Sequence, residues 1–286
     1  MKMLVTGGTG FIGSHFLRAA IAADHEVIAF RRPGSSPRIP VGGPLEWIES
    51  ELAELPFAGL GDLGGGCLVH FAASGVNPAK ATWTTCFKVN VSESLACWMN
   101  AVDAGISRII VCGSCFEYGL AGQRYECIPP DATLEPTGPY HASKAAASMA
   151  AFALAIDRKV EMAILRPFHV YGEGEESYRF WPSLQKAARD GADFPMTSGE
   201  QIRDFIDVQQ VAKVFLDVAT SADLKAGKPL IQNVGTGVPQ SLRSFAEAQW
   251  KASGAKGKLN PGEIPLRSHE VMRYVPEIQS RKRIRR

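Results

Sequence analysis

The 286-residue sequence has no run of about 18 apolar residues, the least that spans a bilayer as a helix. Its opening, "MKMLVTGGTGFIG", lacks a charged stretch followed by an apolar one and reads as a strand and a turn. Neither export nor membrane insertion is expected, and the cytoplasm is the expected compartment. Excess charge of one sign is also missing. Lys plus Arg number 31 and Asp plus Glu 29, a formal net charge of +2, so no global electrostatic case exists for nucleic acid or an acidic membrane as partner. The one basic run, "RKRIRR" at 281–286, reads as a solvated tail. Cysteine is sparse: Cys67, Cys86, Cys97, Cys112, Cys115 and Cys127 fit reduced, mostly buried thiols. Cys112-Gly-Ser-Cys115 has redox spacing but ends an apolar strand instead of opening a helix, so no redox role is assigned. Internal repeats and low-complexity linkers are absent, and no metal ligands are assigned.

What is present is 45% hydrophobic residues, enough for a large core in one or two domains. "KMLVT" is an apolar run ending in "GGTGFIG"; "SHFLRAAIAA" follows with helical spacing, and "HEVIAF" is the next strand. "CLVHFAA" (67–73), "RIIVCGS" (108–114) and "VEMAILRP" (160–167) read as further strands, with helices at 88–105 and 143–156 between them. Alternation of this kind predicts an α/β, Rossmann-like doubly wound parallel sheet over 1–170. Beyond 170 the pattern loosens. A loop through 184, a short helix to 191, a strand-into-helix at 202–220 and a strand at 229–237 predict a smaller C-terminal substrate-binding lobe over 171–286, with about 203–235 returning to the first domain.

Gly7, Gly10 and Gly13 stand three apart between a strand and a helix. That is the context of a dinucleotide cradle: a tight turn, close backbone approach to a pyrophosphate, close helix–strand packing, and a helix N-terminus facing the anion. Phe11 and Ile12 belong to the same turn. Where the second strand ends, an acidic residue would bind the ribose of NAD. Here Arg31 and Arg32 stand, and guanidinium groups pair well with a 2′-phosphate. NADP(H) is therefore the preferred cofactor, NAD(H) the other possibility.

In "YHASK", Tyr140 and Lys144 are four residues apart and share a face if the segment is helical. A phenol and an ammonium on one face form either an incidental pair or a proton-transfer device; the ammonium would lower the phenol's pKa.

The GxxGxxG cradle, with Ser114 at a strand end and the Tyr-x-x-x-Lys, resembles the short-chain dehydrogenase/reductase superfamily in its extended branch, which acts on nucleotide sugars. The resemblance implies a catalytic trio of Ser114, Tyr140 and Lys144, with Lys144 also reaching the nicotinamide ribose. It places Phe71, Ala72 and Ala73 over the adenosine and diphosphate, Asn90 as a brace of the central helix, and Pro167 in a segment ("LRPFHVYG") passing over the nicotinamide. "RDFIDV" resembles a motif whose arginine, Arg203 here, contacts the substrate diphosphate. The resemblance covers about 1–240; the late Trp-x-Pro stretch usual in the family is missing.

The family implies three chemistries. In 4,6-dehydratases an Asp-Glu pair follows the Ser/Thr; Cys115 and Phe116 stand there instead, so dehydration is not expected. Glu117 lies one position further, with its direction reversed on a strand-like segment, and is read as structural or as a support behind the residues that touch substrate. A 4-epimerase holds NAD tightly through an acidic ribose contact, which the arginines argue against. "GSCFEYG", "RPFHVYGEGE", "RFWPSL" and "GEQIRDFIDV" are similar to the CDP-abequose synthase-like 4-ketoreductases of nucleotide-activated deoxysugars, a group that includes lipopolysaccharide sugar enzymes. That implies NADPH-dependent reduction of a 4-keto-deoxyhexose. The base is left open among CDP, dTDP, GDP and UDP, with CDP first. Cys115, Phe116, His169, Arg179, Trp181 and Arg203 are the implied substrate contacts. Trp181 reads equally as core, His169 as a packed histidine and Arg179 as a solvated loop residue. The family also implies a homodimer through the helices at 88–105 and 143–156. From a different class, a non-catalytic NADP(H) sensor stays open.

Overall fold

The computed structural model describes residues 1–267 and 270–278; the basic run at 281–286 lies outside the described residues. The strands in chain order are β1 Lys2–Thr6, β2 Glu26–Arg31, β3 Glu46–Glu49, β4 Cys67–His70, β5 Arg108–Cys112, β6 Glu161–Pro167, β7 His169–Tyr171, β8 Phe194–Met196, β9 Ile202–Arg203, β10 Phe205–Asp207, β11 Leu230–Val234, β12 Gln240–Ser241, β13 Leu259–Pro261 and β14 Arg273–Tyr274. The α-helices are α1 Phe11–Ala22, α2 Trp83–Phe87, α3 Ser94–Asp103, α4 Pro139–Asp157, α5 Phe180–Asp190, α6 Val208–Ala219 and α7 Leu242–Ala252.

Seven strands form one sheet in the order β11-β6-β5-β4-β1-β2-β3, with every neighbouring pair parallel. Both faces are covered by helices, which is why the inner strands are almost wholly apolar and buried. On one face, Phe16, Leu17 and Ala20 of α1 pack with Val211, Phe215 and Ala219 of α6. On the other, Cys97, Trp98 and Ala101 of α3 meet Ala147, Ala151 and Leu154 of α4. Each large apolar side chain fully buried this way contributes about 1.5–3 kcal/mol. The strand order reverses between β1 and β4, and a crevice opens there beyond the carboxyl ends of the strands, where doubly wound sheets bind ligands.

Several elements differ from expectation. The helix expected over 88–105 starts at Trp83 and is interrupted by a π-helical segment, Lys88–Glu93, that buries Asn90. Helix α4 starts at Pro139 instead of Ser143, with proline in its first turn, where the missing N–H costs nothing. This puts Tyr140 inside the helix. Strands β4 and β5 stop at His70 and Cys112, short of 73 and 114, because the chain turns there into the crevice. Helix α5 begins at Phe180, inside the stretch expected as loop. Strand β3 is a short edge strand of mixed exposure and was not anticipated.

Small sheets join the later segments: β10 beside β7, β9 between β12 and β14, and β13 beside β8. A satellite core of Leu184, Met196 and Ala246 packs α5 onto α7.

Candidate active site

The cradle follows β1 directly. Gly7 has φ +68°, and a Cβ there would stand 2.4 Å from the Ala72 nitrogen. A Cβ on Gly13 would stand 2.2 Å from the Gly7 carbonyl oxygen. The Gly10 N–H donates to that same oxygen at 2.9 Å, and Gly10 caps α1 with no side-chain bond and no acid in the first turn. Backbone N–H groups are thus turned toward the crevice with no carboxylate competing for them. Phe11 sits edge-on to His15, and Ile12 packs into the core below. The loop after β4 comes close because its Phe71 ring is wedged between Phe16 and Phe215. Beneath the cradle, His70 bonds Thr6 Oγ1 at 2.8 Å and Ser94 Oγ at 3.0 Å. Burial, helped by the Lys144 charge, pushes the His70 pKa down to about 3, so this brace is neutral.

At the end of β2, Arg31 is paired rather than free. Its Nη2 lies 2.9 Å from Glu49 Oε1, at the register-matched end of β3, and its guanidinium covers the Trp47 ring at 5.3 Å. Arg32 is exposed. A carboxylate therefore does stand at this rim, one strand away from where the sequence was searched for it.

Ser114, Tyr140 and Lys144 converge at the carboxyl end of β5. Ser114 is buried and caps a short 3₁₀ turn, Cys115–Glu117, accepting from the Phe116 N–H at 3.3 Å. Its hydroxyl lies near enough to the Tyr140 phenol to favour that group's charged form. Lys144 is buried and donates to the Cys112 carbonyl at 2.6 Å. The expected lowering of the Tyr140 pKa is corrected here. Burial, reinforced by Cys112, pushes the phenol well above its ordinary 10, and only the neighbouring Ser114 hydroxyl pulls the other way. The physical reason is that the Lys144 ammonium donates to a carbonyl while the half-buried phenol is partly desolvated. Asn90 ties this region together. Its amide donates to the Ser74 carbonyl at 2.9 Å and to Ser143 Oγ at 2.8 Å, and its oxygen accepts from the Ser74 N–H at 2.7 Å. The π-helical segment thereby clamps the loop after β4 to α4.

Behind Ser114 lies the group that the sequence reading gave a structural or supporting role. Glu117 and Arg166 form an ion pair at 2.8 Å, with side-chain exposures of 0% and 3%.

The expected substrate residues fall into three situations. Phe116 is exposed, stacks on His141 at 5.0 Å, and meets His169 edge-on at 6.3 Å. His169 also faces Phe205 and Tyr274. Its Nδ1 is buried without a partner among the described residues, and burial, with Arg203 and Arg179 nearby, pushes its pKa to about 3. Arg203 is mostly buried and held by Glu270 at 2.8 Å; Arg179 donates to the Val76 carbonyl at 3.2 Å. Cys115 lies in a small core with Tyr118, Ile128, Phe168 and Tyr274. The Trp181 N–H is taken by Gln249 of α7 at 2.9 Å, with its ring beside Tyr171. Pro167 ends β6, opposite Val234. His141 and Glu49 escaped the sequence reading. His141 carried one usable signal, its place next to Tyr140; Glu49 carried none.

The chain was compared with known proteins. It is 26% identical to a dTDP-6-deoxy-L-talose 4-dehydrogenase (NAD(+)) of Aggregatibacter actinomycetemcomitans, over 95% of this chain and 98% of the relative. It is 25% identical to a CDP-abequose synthase of Salmonella muenchen, over 95% of this chain and 87% of the relative. Among solved structures it resembles MoeE5 in complex with UDP-glucuronic acid and NAD, at 26% identity and a TM-score of 0.80, covering 98% of this chain and 90% of that one. The description of the NAD dependent epimerase/dehydratase family matches residues 3–235, and with the cradle, the Ser-Tyr-Lys trio and the sheet order already in place, the chain belongs to that family, the extended short-chain dehydrogenase/reductase enzymes.

Proposed function

We propose that this enzyme reduces the 4-keto group of a nucleoside-diphosphate-linked deoxyhexose, using NADPH. The observation that carries the proposal is the state of the catalytic group. Tyr140 stands on the α4 face that also carries Lys144, beside the Ser114 hydroxyl at the end of β5, and desolvation keeps its phenol protonated, as a proton donor requires. No free carboxylate stands on the turn that follows, because both oxygens of Glu117 are occupied; elimination of water lacks a second acid–base group there.

The glycine cradle fits a dinucleotide diphosphate: only glycine at 7 and 13 lets the turn pack this tightly on the Ala72 backbone and the Gly7 carbonyl, and the first turn of α1 holds no acid to compete for its N–H groups. When bound, the nicotinamide supplies a hydride. Ser114 would hold the ketone oxygen and Tyr140 would give it a proton, so that hydride and proton together would turn the ketone into an alcohol. Lys144, now on the Cys112 carbonyl, stabilises the resulting phenolate and orients the ribose. Arg179 and Arg203 take the substrate diphosphate, Arg203 exchanging Glu270 for it. Neutral His169 and the Phe116 ring wall the sugar site. Residues 1–170 thus serve mainly the cofactor and 171–286 mainly the substrate, with about 203–235 returning to the sheet. We place the protein in the cytoplasm as a homodimer, through the apolar side chains exposed on α2, α3 and α4.

One observation favours a second reading, a 4-epimerase with bound NAD: Glu49 neutralises Arg31 and offers a carboxylate to the adenosine ribose. On the cofactor alone, the similar dTDP-6-deoxy-L-talose 4-dehydrogenase is an NAD(+) enzyme.

The test is NADPH oxidation with a panel of nucleoside-diphosphate 4-keto-6-deoxysugars, beside NADPH and NADH titrations. Turnover is expected, with at least about 100-fold lost from kcat in Tyr140→Phe. Near-wild-type turnover in that variant dismisses Tyr140 as the acid. NADH binding as tightly as NADPH, with interconversion of 4-epimers, selects the second reading. NADPH binding without turnover on any sugar points to a sensor.

A further inference from the structure

We propose that Glu117 is a positioning residue for catalysis: its carboxylate sets the separation between the turn carrying Ser114 and the helix carrying Tyr140 and Lys144. This rests on the roles proposed above for Ser114 and Tyr140.

Three donors from three elements converge on this one carboxylate. Its Oε1 accepts the Ser114 N–H at 2.7 Å. Its Oε2 accepts Ser148 Oγ, on α4, at 2.7 Å and Arg166 Nε, on β6, at 2.8 Å. Ser148 lies one turn beyond Lys144 and two beyond Tyr140, so it projects from the helix face that carries both. The route from the Ser114 backbone to that face is therefore two hydrogen bonds long. Arg166 is held in its turn: Nη1 donates to Tyr118 Oη and to the Pro130 carbonyl, each at 3.0 Å, and the guanidinium covers the Tyr118 ring at 4.7 Å. Tyr118 donates to Asn233 Oδ1 at 2.6 Å, so β11 is tied in as well. The glycine before Ser114 keeps room for the carboxylate, since a Cβ on Gly113 would stand 2.7 Å from Glu117 Oε1.

Stability alone does not account for this arrangement. Buried ion pairs replaced by apolar residues of similar volume commonly leave stability unchanged or improved. Nor is Glu117 placed to act on substrate, because it is fully buried with both oxygens occupied. What the carboxylate does is tie the proton donor's helix to the backbone of Ser114 itself, beside the Lys144 bond that ties the same helix to the Cys112 carbonyl at the strand end. Misplacement of reacting groups by about 1 Å costs on the order of 100-fold in rate.

The experiment compares Ser148→Ala, which cuts the link to α4 and leaves the ion pair, with the double variant Glu117→Leu/Arg166→Met, which removes the pair without stranding a charge. Tyr140→Phe serves as reference. The expected result is a kcat reduced roughly three- to tenfold in Ser148→Ala and at least about tenfold in the double variant. KM for the nucleotide sugar and Kd for NADPH stay within about twofold, and melting temperatures stay near wild type. In crystal structures of the variants, the Ser114–Tyr140 hydroxyl separation increases. A kcat within about twofold of wild type in folded Ser148→Ala and double variant, with Tyr140→Phe inactive, overturns the positioning role and leaves the reductase reading standing. Loss of kcat only in proportion to loss of folded protein also overturns it. Should wild type turn over no 4-keto sugar, the functional reading fails on its own, and the crystallographic separation decides: an unchanged distance overturns the proposal. Should the double variant not fold, Ser148→Ala decides alone by the same criteria.

Discussion

A hydrogen atom is all that position 13 tolerates, because a methyl group there would overlap the Gly7 carbonyl at 2.2 Å. Gly13→Ala is expected to cost more than about 1 kcal/mol, since backbone and not a flexible side chain must move, and to weaken NADPH binding. Gly59 has nothing within 4 Å of its would-be Cβ, so Gly59→Ala is the control and stays within about 0.5 kcal/mol. Thermal unfolding and a cofactor titration check both. At this scale the cradle was legible, because glycine spacing between a strand and a helix carries its own geometric reason. The partners of charged residues were not. Arg31 gave no sign of Glu49, which depends on an edge strand with no clear periodicity, and the direction of the Tyr140 shift depends on burial, which no local spacing reveals.

The loop that follows β7 reaches over the crevice as a single element. His15 Nε2 donates to the Glu173 carbonyl at 2.8 Å, Arg38 pairs with Glu176, and Arg179 reaches the Val76 carbonyl. Within it, burial pushes the Glu175 carboxyl from 4.5 to about 7, only partly offset by Arg179, and its Oε2 has no partner among the described residues. The native state therefore holds this proton more tightly than the unfolded chain. The stabilising contribution is complete below about pH 4.5 and is lost as pH rises through about 7. Glu175→Gln is expected to gain on the order of 1–2 kcal/mol over wild type at pH 8 compared with pH 5. Urea unfolding of both proteins at the two pH values measures this; a difference that does not grow with pH refutes the account. The sequence read this stretch as loop but could not show what it touches. Likewise the long second helix was legible by its apolar spacing, whereas its π-helical segment was not, because the hydrogen bonds that favour it run to Ser74 and Ser143, far away in the chain.

For the molecule as a whole, βα alternation gave away the parallel sheet and its crevice, since each strand is buried on both faces and each helix has one apolar side. The small sheets of the C-terminal part were less visible, because strands of two or three residues leave no period to read. The outer face of α4 carries exposed Met149, Phe152 and Ile156 at helical spacing, with Met99 of α3 and Trp83 of α2 also exposed. Side chains of this kind grouped on neighbouring helices suit self-association. Met149→Glu combined with Ile156→Glu is expected to halve the mass found by sedimentation; a wild-type chain that sediments as a monomer refutes the homodimer.

Strand β11 and helix α6 come late in the chain, yet β11 covers the open edge of β6 and α6 covers the apolar side of α1. A nascent polypeptide halted near residue 200 would leave the ribosome with an unpaired strand edge and with Phe16 and Phe71 uncovered by Phe215. Chaperone capture of such stalled fragments, and their release once residues 208–234 have emerged, is the expected cellular outcome of closing the sheet with a strand from so late in the chain.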